Sequence, residues 1–112
     1  MTIDVYMQYF TAELEYNGVE RRGALVKLTS DSEDGQIRYT ASVSFFPHED
    51  EEDYAVSYDA YFERELYQAK GRRSKKREVE MLDNLRGVID QLVEAAGGKV
   101  FWDQPLREAR RG

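Results

Sequence analysis

Two tight-turn signals constrain this chain more than any other feature. Asn17-Gly18 and Asp34-Gly35 each separate stretches in which apolar and polar residues alternate. Such pairs suit two-residue hairpin loops, whose central positions need the positive φ that Gly adopts freely and Asn and Asp tolerate. A loop at 17–18 pairs residues whose numbers sum to 35, and a loop at 34–35 pairs residues summing to 69. Following both sums gives the rows Val5/Ser30/Tyr39, Met7/Leu28/Ala41, Tyr9/Val26/Val43 and Thr11/Ala24/Phe45, an almost wholly apolar face. The opposite face receives Tyr6/Thr29/Thr40, Gln8/Lys27/Ser42 and Phe10/Leu25/Ser44. Glu13 falls opposite Arg22, a favourable cross-strand pair. A one-residue slip exchanges the two faces, so the pattern predicts a meander of three antiparallel strands over 3–16, 19–30 and 36–46.

Alternation resumes in Tyr54, Val56, Tyr58, Ala60 and Phe62, which predicts a fourth antiparallel strand over 54–66. Tyr58, Phe62 and Leu66 also fit helical spacing, so a helix from Asp59 is the rival reading. Leu82, Leu85, Ile89, Leu92 and Ala96 trace one face of a helix over 74–97, with Ser74 as N-cap and Gly97-Gly98 as its stop. At 1.5 Å per residue it reaches roughly 36 Å, enough to cross the sheet diagonally. Gly87 interrupts it, which implies either a close backbone approach or a tolerated cost of about 1 kcal/mol. Lys99 to Trp102 form a possible short fifth strand. The expected fold is therefore α+β: a four-stranded antiparallel meander with one long C-terminal helix on one face. Residues 1–104 form a single domain and 105–112 a polar tail.

Composition removes several function classes. Without cysteine there is no disulfide framework, thiol nucleophile or Cys-based zinc site. Met1 to Val5 do not form a basic region followed by an apolar run, and no stretch approaches the ~18 apolar residues of a membrane span. A cytoplasmic protein without membrane contact is expected. His48 is the lone histidine, and no Gly-rich phosphate loop, nucleophile elbow or HExxH motif occurs. No catalytic residues, cofactor or metal site are assigned, and a carboxylate-based hydrolase is the enzymatic alternative. Glu49 to Asp53 read as a solvated acidic loop that blunts edge-to-edge association. The Ser30 to Gly35 stretch lacks the Glu an EF-hand would need at Ala41.

Charge is distributed unevenly. The net charge is -6, but residues 1–69 carry 15 acidic and 5 basic side chains, and residues 70–112 carry 7 and 11. Arg72, Arg73, Lys75, Lys76 and Arg77 crowd the start of the helix, where the dipole favours acidic residues. Together with the Ser74 hydroxyl and the free N–H groups they form a candidate phosphate or other anion site. The alternative is a solvated linker, neutralised by Asp31, Glu33 and Asp34 at the same end of the sheet.

One helix cannot cover both sheet faces. The outer face is expected to hold Phe10, Leu14, Tyr16, Val19, Leu25, Phe46 and Tyr61, a candidate interface. The Phe101-Trp102 segment, a second copy of the chain or another protein would cover it. The leading function is a non-enzymatic protein-binding or regulatory module acting as a homodimer. The alternative is binding of single-stranded nucleic acid or a phosphate ligand through residues 70–77. Four antiparallel strands followed by a helix resembles the order in PUR-type and Whirly-type single-strand binders. That resemblance covers element order alone, carries over no site residue, and is opposed by the acidic sheet half.

Overall fold

A computed structural model of the chain describes residues 1–16, 18–46 and 60–105, and the side chains of Tyr16 and Val19 lie outside the described set. The strands are β1 (Thr2–Tyr16), β2 (Val19–Glu33), β3 (Gln36–Phe46), β4 (Ala60–Lys70) and β5 (Lys99–Pro105), with helix α1 (Lys75–Glu94) between the last two. They form one antiparallel sheet in the order β4-β3-β2-β1-β5. β4 and β5 run in the same direction at opposite edges. The chain must therefore return across the sheet between them, and α1 is that return, packed on what we term the inner face.

The α+β architecture follows the expectation. The turn at Asp34-Gly35 has positive φ at both residues (53° and 75°), and every β2–β3 pair from Gly23↔Phe46 to Glu33↔Gln36 keeps the sum of 69. The fourth strand begins at Ala60 in the described residues and runs to Lys70, so the segment after Asp59 is a strand and not the rival helix. Residues 54–59 lie outside the described residues, as do the acidic loop with His48 and the tail 106–112.

The β1–β2 register departs from the expected one. Tyr16↔Val19 keeps the sum of 35, but Glu13 pairs with Arg21 and Ala12 with Arg22, because Leu14 and Glu15 together oppose Glu20 in a bulge. Residues 6–13 are thereby displaced by one, and the faces exchange. Phe10, Ala12 and Leu14 join Ala24, Val26, Leu28, Ala41, Val43 and Phe45 in the core, while Met7, Tyr9 and Thr11 turn outward. A second shift between Asp4 and Tyr6 leaves Val5 unpaired.

The cause lies in what each register buries. The regular register would turn Thr11 and Glu13 to the inner face; the bulged one turns Phe10 and Leu14 there instead, at roughly 1.5–3 kcal/mol for each large apolar side chain buried. The bulge takes backbone out of the ladder, and the fully buried Arg22 supplies a donor: its Nε–H reaches the Leu14 carbonyl at 2.6 Å. Trp102 of β5 then closes over Phe10 edge-to-face at 4.9 Å and donates its Nε1–H to Asp90 of α1 at 2.9 Å. The Phe101-Trp102 segment thus does cover Phe10, but on the inner face.

Gly87 is not a close approach, since a Cβ there would meet nothing within 4 Å. The close approach is at Gly98, where a Cβ would sit 2.8 Å from the Glu13 carbonyl oxygen and 2.9 Å from Leu14 Cδ1.

Candidate functional site

The start of α1 lies where β3 begins and β4 ends. Gly71 N–H donates to the Gly35 carbonyl (2.9 Å), Gln36 pairs with Lys70, and the chain turns into the helix through Arg72 to Ser74. Ser74 caps the helix: its hydroxyl accepts from the Arg77 N–H at 3.3 Å, and its carbonyl accepts from the Glu78 N–H at 2.9 Å.

Glu78 is the anion at this helix start. Its side chain is 9% exposed, and it takes both Arg73 Nε (2.8 Å, to Oε2) and Arg73 Nη2 (3.0 Å, to Oε1) in a bidentate pair. The Tyr39 hydroxyl, fully buried on the inner face of β3, donates to Oε2 at 2.7 Å and accepts from the Ser74 N–H at 3.2 Å. Strand, cap and helix are thus tied at one point. The Arg73 hydrogen bonds hold the Glu78 carboxyl below the usual carboxylate range, outweighing the burial that pushes it up, and Tyr39 adds to the lowering. Burial, then the hydrogen bond to Glu78, pushes the Tyr39 phenol up, and the bond to Glu78 pushes the Arg73 guanidinium up.

Of the six residues expected to bind an anion, Arg73 and Ser74 are therefore engaged within the chain. Arg77 lies over the Tyr67 ring, 4.2 Å from its centroid. Arg72, Lys75 and Lys76 are exposed and make no ion pair or hydrogen bond among the described residues. No ion pair joins Asp31, Glu33 or Asp34 of the acidic turn to residues 70–77; Asp31 pairs with Arg38 (3.4 Å) and the Met1 amine (3.7 Å).

The residues expected at the interface divide three ways. Phe10 and Leu14 are core residues of the inner face. Leu25, Phe46 and Tyr61 do lie on the outer face, with Leu25 half-buried, Phe46 buried at 4% and Tyr61 44% exposed. The side chains of Tyr16 and Val19 fall outside the described residues. Tyr9, Leu25, Ser44 and Tyr61 form one rung across four strands. On the adjacent rung Gly23 has no side chain between Thr11 and Phe46, and the Tyr9 and Phe46 rings meet there at 6.5 Å. On this face Lys27 is matched by Asp4 (3.8 Å) and Arg38 by Asp31 and Glu65 (3.4 and 3.9 Å), while Arg21 and Lys99 lie over the Phe101 ring at 5.3 and 5.5 Å.

Sequence reasoning missed Tyr39, Glu78 and Arg22. Glu78 carried one available signal, as the lone acid in the helix's first turn after six cations, but it stands one residue past the capping-box position, which Arg77 occupies. Among the described residues no group of three His, Asp or Glu side chains is placed to hold a metal ion, and no helix is long and apolar enough to cross a membrane. No family model, curated protein or solved structure matches this chain.

Proposed function

We propose that this protein is a non-enzymatic protein-binding module that self-associates through the outer face of its sheet. The observation carrying this reading is the Tyr9–Leu25–Ser44–Tyr61 rung. It lies on the face opposite α1, where Leu25 is half-buried and Tyr61 is 44% exposed. Bands of this kind on polar-rimmed sheets favour protein contacts. The pairing of Lys27 and Arg38 with carboxylates favours a protein partner over a phosphate backbone, which needs cations free to replace its counterions.

Sedimentation equilibrium between about 5 and 200 µM tests the reading, since association by mass action must grow with concentration. A dimer is expected, weakened at least about tenfold by Tyr61→Asp, the loss of roughly 1.4 kcal/mol or more. A wild-type chain that stays monomeric throughout overturns it. In parallel, retention of single-stranded DNA on filters at about 50 mM salt, where electrostatic binding is strongest, would shift the assignment to nucleic acid.

A further inference from the structure

We infer a second docking surface, distinct from the outer face: the groove between α1 and the edge strand β4, fitted to an extended peptide of another protein that carries bulky apolar side chains beside a cluster of carboxylates. The groove has a volume of about 330 Å³ and is lined by Leu66, Tyr67, Met81 and Val88, with Arg77 and Glu80 at its rim. Its shape follows from the β3–β4 register. Tyr39 pairs with Tyr67 and Thr40 with Glu65, so Leu66 is an extra residue in β4, and this bulged residue lines the groove. Arg77 over Tyr67 marks one end of the helix–strand seam, and Arg64 donating to Gln91 at 2.8 Å marks the other.

Two observations select the occupant. β4 ends the sheet order, so among the described strands its outer backbone groups have no ladder partner, and an extended segment is the shape that satisfies them. A second copy of β4 is disfavoured in the registers centred on Glu63, Arg64 or Glu65, where antiparallel two-fold pairing sets like charges directly opposite. The second observation is charge. Lys70, Arg72, Lys75 and Lys76 cluster beyond the Arg77 end of the groove, exposed and without an ion pair among the described residues. Glu80 is the single carboxylate among the groove residues. A segment with acidic residues flanking apolar ones complements this arrangement, and a basic one does not.

The probe is a fluorescein-labelled decapeptide of four glutamates followed by alternating valine and leucine, with a twin in which lysines replace the glutamates. Fluorescence polarisation at about 50 and 500 mM salt separates the electrostatic from the apolar share. The acidic peptide is expected to bind at least about tenfold more tightly than its twin at low salt, with that ratio shrinking at high salt. Met81→Glu is expected to abolish binding, and Lys76→Glu, at an exposed position in the first turn of the helix, to weaken it about threefold without lowering the thermal midpoint. Tyr61→Asp must leave peptide binding intact, which separates this site from the self-association proposed above. Equal binding of the two peptides, no binding at about 1 mM, or insensitivity to both groove variants each overturns the inference. So does dimerisation abolished by Met81→Glu and untouched by Tyr61→Asp, because a second copy would then be the occupant.

Discussion

Replacing Tyr39 with Phe removes one oxygen and leaves the buried ring in place. That oxygen donates to Glu78 at 2.7 Å and accepts from the Ser74 N–H at 3.2 Å. A hydrogen bond to a charged group contributes roughly 1.5–3 kcal/mol. Glu78 keeps both Arg73 bonds, and the half-exposed Ser74 N–H can turn to water, so the loss belongs in the lower half of that range, about 2 kcal/mol. For a chain of 112 residues the unfolding entropy is about 0.24 kcal/mol per kelvin, which converts the loss to a fall of about 8 °C in Tm. The effect must depend on pH. The folded pKa of Glu78 is depressed, first by Arg73, so its contribution is complete above the unfolded value of about 4.3 and is lost as pH falls through the folded value. The gap between wild type and Tyr39→Phe should therefore be full at about pH 7 and clearly smaller at about pH 3, read by circular dichroism melts. A Tm change under about 2 °C at neutral pH, or a gap of equal size in acid, would refute the reasoning.

The other predictions concern caps, glycines and an unpaired hydroxyl. Ser74→Ala removes the acceptor of the Arg77 N–H and should cost about 1 kcal/mol, or roughly 4 °C in a melt. Gly87→Ala meets open space in a helix interior and should raise Tm by up to about 4 °C. Gly98→Ala drives a Cβ against the Glu13 carbonyl and should lower stability by about 1–3 kcal/mol, measured by urea titration. Ser30 is buried with no hydrogen-bond partner for its hydroxyl among the described residues, so Ser30→Ala should be neutral or stabilising by up to about 1 kcal/mol in the same titration.

Much of the fold was legible because some turns and strands leave no competing solution. The Asp34-Gly35 turn fixed β2 against β3 without an error, since Ala24, Val26, Leu28, Ala41, Val43 and Phe45 share a face in only one register. β1 was not legible by the same rule. Val5, Met7 and Tyr9 make one apolar side of it, and Phe10, Ala12 and Leu14 the other. Alternation cannot choose between two apolar sides, and the choice came from Trp102 and Arg22, which approach from distant parts of the chain. The helix start was half legible. Ser74 was identified as the cap, but the anion held there is Glu78 itself, and its partner Tyr39 lies 39 residues earlier, beyond the reach of any local pattern.

The bulge at Leu14-Glu15 implies that β1 carries two usable reading frames, one residue apart. In the regular frame Arg22 would face Glu13; in the observed frame it holds the Leu14 carbonyl instead. Arg22 stands only a few rungs from the Asn17-Gly18 turn, whereas Trp102 reaches Phe10 from the far end of the chain. Arg22 and Trp102 thus hold the same frame from its two ends.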